Sequence, residues 1–108
     1  VWDAAHNALE GEVPEYAIDV IWPHLCMVNL KNAVRARRDA PGPESAACAE
    51  WKVVWTAGRE GFASWPRVAQ ELVRRGYDGV VCLTAEYSDE AAVDRLIAED
   101  IEFARVLF

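Results

Sequence analysis

Short apolar runs alternate along this chain with longer segments whose apolar residues recur every three or four positions. Three runs have strand character: Val1-Trp2-Asp3-Ala4-Ala5, Cys26-Met27-Val28-Asn29-Leu30-Lys31 and Val80-Val81-Cys82-Leu83-Thr84-Ala85-Glu86. Each is short and two are close to continuously apolar, as strands buried on both faces of a parallel sheet are. Helical spacing fills the intervals. Pro14 to Ile21 opens with proline in a first turn and Glu15 beside it, both suited to a helix N-terminus, and carries Tyr16/Ala17, Val20 and Ile21 at helical spacing. Pro66 to Arg75 places Val68, Ala69, Leu72 and Val73 on one stripe, with Arg74 and Arg75 in the last turn and Gly76 as a stop. The last helix is expected from Ser88, its N-cap, through Val93, Leu96, Ile97, Ile101, Ala104 and Leu107 or Phe108.

Between these segments, Asn32 to Ser64 reads as a long connection. Pro41-Gly42-Pro43 breaks any regular element there, and Val53-Val54-Trp55 has the makings of a short extra strand. Connections of this length carry function or move. Strands alternating with helices imply a parallel α/β layout. A chain of 108 residues then fits two architectures. One is a small doubly wound sheet; the other is the last third or so of a (β/α)8 barrel, which takes about 250 residues in all.

Composition narrows the function classes. Hydrophobic residues are 53% and charged residues 27%, the balance of a folded globular chain and not of a disordered tail. Lys plus Arg number 11 against 18 Asp plus Glu, a net charge of −7 that disfavours nucleic acid and anionic membrane surfaces as partners. The longest uncharged stretch, Val20 to Leu30, is interrupted by Pro23, His24 and Asn29 and is shorter than the roughly 20 apolar residues of a membrane span. The chain opens without a basic, then apolar, leader and without Met, which is expected of a piece that begins inside a structured element. Cys26, Cys48 and Cys82 fit no C-x-x-C pattern and read as reduced thiols of a cytoplasmic protein, at least two of them in the core.

Polar residues gather at the C-terminal ends of the three strands. Asp3 and His6 follow the first; Asn29 and Lys31 share a face of the second, with Arg35 beyond; Thr84 and Glu86 share a face of the third. Each has an ordinary alternative. Lys31 can reach solvent along its stem, Glu86 can cap the last helix, and Arg35, Arg37 and Arg38 can form a solvated basic patch. Convergence at three strand ends is the stronger pattern, because parallel α/β folds build their sites there.

Four motifs point further. They are Asp3-Ala4-Ala5-His6, Met27-Val28-Asn29-Leu30-Lys31-Asn32, Arg59-Glu60-Gly61 with Ser64-Trp65-Pro66, and Gly76-Tyr77-Asp78-Gly79 leading into Val80. Together they resemble the C-terminal part of the xylose-isomerase-like TIM-barrel family of sugar isomerases and epimerases. There they would match D-x-x-H at a strand end, an H-V-H-L-K-D strand, a G-E-G-x-x-D-W segment and the G-Y-D-G approach to the last metal-binding carboxylate. The resemblance covers nearly the whole chain, apart from about Arg38 to Ala49.

The resemblance implies an α/β fold of about three βα units, the C-terminal portion of a (β/α)8 TIM barrel whose N-terminal part is missing here. It implies a divalent metal, Mn²⁺, Mg²⁺ or similar, with Asp3, Asn29 and Glu86 as ligands. It places His6 on the substrate; Lys31 and Arg35 are expected to hold substrate hydroxyls or a phosphate, and Glu86 is the expected catalytic base where it takes over from the family's last-strand carboxylate. Asn29 stands where the family has His. Thr84 is in register with the family's carboxylate, and Glu86 lies roughly 6–7 Å further along the same face, so it reaches the site only if the strand end bends inward. The implied reaction moves a proton next to a sugar carbonyl through an enediolate. The substitutions at Asn29 and Thr84 motivate an alternative, a catalytically degenerate barrel that binds a sugar or a partner. A related metal-dependent endonuclease acting on abasic DNA is disfavoured by the net charge of −7. Expected partners are thus a small-molecule sugar or sugar phosphate, the missing N-terminal part of the barrel, and a second copy through open strand edges, with neither nucleic acid nor membrane.

Overall fold

The structure, a computed structural model, describes residues 1–38 and 51–108. The chain runs β1 (Trp2–Asp3), α1 (Ala4–Leu9), α2 (Pro14–Ile21), a 3-10 turn (Trp22–His24), β2 (Met27–Leu30), β3 (Asn32–Arg37) and β4 (Trp51–Thr56). It continues through α3 (Trp65–Arg74), β5 (Val80–Leu83), a second 3-10 turn (Glu90–Ala92) and α4 (Val93–Leu107). β1, β2 and β5 form a parallel sheet in that order, and β3 and β4 form an antiparallel pair beside it. The parallel strands follow chain order, with no reversal of direction across the sheet.

Alternation along the strands sorts the two faces. Trp2, Val28 and Val81 share one row, and Leu30 and Leu83 the next but one. This face meets the helices: Ala4 from α1, Ala17 and Ile18 from α2, and Trp65, Val68 and Leu72 from α3 join Trp2, Val28 and Leu30 in one buried cluster. Phe103, Ala104 and Leu107 of α4 pack against it. All four helices therefore cover the same face. The other face presents the row Asp3, Asn29, Cys82 and the row Met27, Val80. Val80 is 58% exposed, so no helix among the described residues covers that side. A doubly wound sheet is covered on both faces, and among the described residues the helices cover one face of this sheet.

Several expectations change. The first strand ends at Asp3, and Ala4 and Ala5 belong to α1, because the Asp3 carboxylate accepts from the backbone N–H of Ala5 and starts the helix. The long connection holds a hairpin, with Val34 opposite Val54 and Ala33 opposite Trp55. Arg35 and Arg37 are the exposed positions of its first strand, alternating with half-buried Val34 and Ala36. Pro41-Gly42-Pro43 and Cys48 lie outside the described residues. Ser88 caps no helix: its N–H donates to the Trp55 carbonyl and its hydroxyl accepts from the Trp55 N–H, 3.0 and 2.9 Å. The turn Glu90–Ala92 leads into α4 instead. α2 buries Ala17 and Ile18, whereas Tyr16 and Val20 are exposed beside β1; on α3, Val73 is exposed. Cys26 is exposed and Cys82 half-buried, so neither is a core thiol. No helix among the described residues is long and apolar enough to cross a membrane.

α2 and α3 are also tied by charge. Glu71 accepts from Arg74 and Arg75, and Arg75 reaches on to Asp19 at 2.8 Å. Hydrogen bonds from Arg74 and Arg75 hold the Glu71 carboxyl at about 2, from an ordinary 4.5. A depressed carboxyl binds fewer protons folded than unfolded, so its contribution is complete above 4.5 and lost as the pH falls toward 2. Thermal unfolding midpoints of the wild type should fall over this window more steeply than those of Glu71→Gln. Parallel curves would assign the acid sensitivity elsewhere.

Candidate functional site

Three strand ends and the hairpin converge on one lysine. Lys31 sits in the junction between β2 and β3, and its side chain is only 8% exposed. Its ammonium donates to Glu86 Oε2 at 2.5 Å and lies 3.0 Å from Asp3 Oδ2. On the remaining side the Trp55 ring faces it at 4.3 Å, a cation–π contact. The His6 ring meets the edge of Trp55 at 5.1 Å, and His6 Nε2 lies 3.7 Å from Asp3 Oδ2. Burial pulls the Lys31 ammonium down, but the hydrogen bonds and charges of Glu86 and Asp3 outweigh it and leave its pKa raised.

Local chain geometry sets each member. Asp3 uses one oxygen, Oδ1, to hold the N-terminus of α1 and turns the other to Lys31. Glu86 arrives through a bend: Ala85, with φ of 53°, occupies the left-handed region that non-glycine residues rarely adopt. That bend brings Glu86, 58% exposed, to the ammonium, while the Thr84 hydroxyl is buried without a hydrogen-bond partner. Trp55 is fixed by its place opposite Ala33 in the hairpin and by the two backbone hydrogen bonds it shares with Ser88, one donated and one accepted.

The backbone beneath Lys31 is held just as firmly. The Trp65 indole N–H donates to the Lys31 carbonyl at 2.9 Å. Asn32, 1% exposed, donates to the carbonyls of Gly58 and Ala63 and accepts from the N–H groups of Ala33 and Ala63. Asp100, also 1% exposed, accepts from Gly58 N–H and from the Tyr87 hydroxyl, both at 2.7 Å. Desolvation and the Asp100 charge push the Tyr87 phenol well up. These two residues clamp the Ala57–Ser64 turn, where a Cβ on Gly61 would come within 2.3 Å of Asn32 Oδ1.

Of the residues singled out in the sequence, the structure joins Asp3, Lys31 and Glu86 directly and places His6 at their rim. Asn29 lies in the row of Asp3 and Cys82, one step below Lys31 on the same face. Arg35 does not join them: it points to Glu10, 3.5 Å away, from the exposed side of β3. Trp55 and Asp100 carried no functional signal in the sequence, and Asn32 entered only as the last position of the Met27–Asn32 motif. An acidic residue inside the apolar stripe of α4 was the one available sign of a buried partner for Asp100.

The resemblance implies a divalent ion held by Asp3, Asn29 and Glu86. Among the described residues, no group of three or more His, Cys, Asp or Glu side chains is arranged to hold a metal ion. Two of the three expected ligands, Asp3 and Glu86, are joined through an ammonium. A cation held between Asp3 and Glu86 would have to displace that ammonium.

Comparison with family models, with curated proteins and with solved structures returns no match to this chain.

Proposed function

We propose that this chain is the C-terminal portion of a (β/α)8 barrel and that its strand ends recognise a sugar or sugar phosphate. The sequential parallel order, helices on one face only and the exposed Tyr16 and Val20 beside the β1 edge support the barrel reading. The observation that carries the functional reading is the convergence of Asp3, Lys31, Glu86 and His6 around the Trp55 ring. Carboxylate oxygens accept from sugar hydroxyls, and an indole offers an apolar platform to the C–H face of a sugar ring. In the catalytic form of this reading the protein is an isomerase or epimerase, and the exposed Glu86 carboxylate takes the proton beside the carbonyl and returns it. In the second reading the barrel binds without turnover. The ties of Lys31 to both carboxylates and the presence of Thr84 at the end of β5 favour this second reading.

Two measurements test the pair. Aldoses, ketoses and their phosphates are titrated against the protein by calorimetry, and Trp55→Ala should weaken any binding at least tenfold, about 1.4 kcal/mol. Exchange of the bound sugar's carbon-bound hydrogen with D₂O, followed by NMR, separates the two forms. Exchange that Glu86→Gln abolishes supports the enzyme, and binding without exchange supports the binding protein. Binding of none of these ligands would overturn both.

A further inference from the structure

The two carboxylates best placed for a metal are already bridged by a cation belonging to the chain. An ammonium has three protons and no lone pair. Glu86 and Asp3 take two of its directions, at 2.5 and 3.0 Å, and the Trp55 ring closes the third at 4.3 Å. Asp3 Oδ1 is engaged by the Ala5 N–H, so Asp3 has little freedom to swing toward another cation. The Lys31 backbone cannot easily retreat either, because the Trp65 indole holds its carbonyl and Asn32, the next residue, is locked by four hydrogen bonds.

We infer that Lys31 is the resident cation of this strand-end site, and that its ammonium, set between Asp3 and Glu86, serves in place of a divalent ion. The inference rests on the reading of these strand ends as the functional site. It predicts that the protein binds whatever sugar it binds after complete removal of metal.

Mn²⁺ alone is the probe, with its uptake by the protein followed from the electron paramagnetic resonance signal of the free ion. Wild type should show no saturable uptake below about 1 mM. Lys31→Met, which removes the charge and keeps the stem, should bind Mn²⁺ at least tenfold more tightly, and Lys31→Arg should behave as wild type. Micromolar uptake by wild type that Asp3→Asn abolishes would overturn the inference. So would a folded Lys31→Met protein that takes up no more Mn²⁺ than wild type.

A measurement on wild type covers the case in which Lys31→Met fails to fold. Acetylation mapped by mass spectrometry should modify the exposed Lys52 and spare Lys31, with or without Mn²⁺. Acetylation of Lys31 that appears only when Mn²⁺ is added would mean that the metal displaces it, and the inference would fall. Sugar binding is measured separately on chelator-treated protein. Its absence both with and without Mn²⁺ would sink the sugar reading, while the Mn²⁺ arm still decides the identity of the cation.

Discussion

Asn32→Ala should destabilise the fold by about 3–4 kcal/mol, read as a lower urea midpoint at an unchanged slope. Asn32 is 1% exposed and uses its full capacity: two N–H bonds to Gly58 and Ala63 carbonyls, and two accepted from Ala33 and Ala63 N–H groups, all 2.8–2.9 Å. Alanine leaves those backbone groups without partners, at about 1–3 kcal/mol for each that stays buried. Gly61, Phe62 and Ser64 of the same turn are exposed, so water reaches part of the gap and the total stays below the simple sum. Asn32→Asp separates shape from hydrogen bonding. It keeps the size and the acceptor but turns a carboxylate oxygen toward two carbonyls. It should be damaging near neutral pH and partly restored by acid, which reprotonates the carboxyl and returns one donor. A loss below about 1 kcal/mol for Asn32→Ala would mean that the turn holds itself.

That clamp also shows where a reading of the sequence stops. The parallel strands and α2 to α4 were legible because their apolar periods are strong and the punctuation is explicit, with Pro14, Pro66 and Gly76 at helix ends. α2 spans Pro14–Ile21, as its pattern predicts. Of the hairpin only the second strand was legible, Val53-Val54-Trp55 lying within β4; the first, Asn32-Ala33-Val34-Arg35-Ala36-Arg37, alternates alanine and valine with arginine, and alanine has little strand preference. Ser88 departs from its expected cap role for a related reason. A serine before an acidic turn has the local chemistry of a helix cap, yet the same hydroxyl satisfies a distant backbone N–H at Trp55. Asp3, Lys31 and Glu86 could be placed on one face from strand alternation, but not their mutual pairing. The pairing depends on the bend at Ala85, where nothing in the residue type announces a φ of 53°. Trp55 enters the site only because the hairpin folds back across the strand ends, a tertiary event with no local trace.

Lys31→Met should cost about 2–3 kcal/mol and remove an alkaline limb from the stability profile. Breaking a buried ion pair by deleting one partner costs about 3–5 kcal/mol, because a charge is left unpaired. Here the lysine is the buried member, while Glu86 is 58% and Asp3 15% exposed, so the stranded carboxylates recover part of their hydration and the cost is lower. The folded Lys31 pKa lies above its ordinary 10.5, so folded protein holds this proton more tightly than the unfolded chain does. The stabilisation is therefore complete below 10.5 and is lost as the pH rises through the higher folded value. Urea midpoints measured from neutral pH to about pH 11 should decline in wild type more than in Lys31→Met. Glu86→Gln alone should cost about 0.5–1 kcal/mol, since its carboxylate is half in water and the ammonium keeps Asp3. Asp3→Asn should cost more than Glu86→Gln, because Asp3 is the more buried partner and also holds the first turn of α1. The reverse order, or a Lys31→Met protein as stable as wild type at neutral pH, would show the lysine to be a surface ornament of the strand ends and not the cation that joins them.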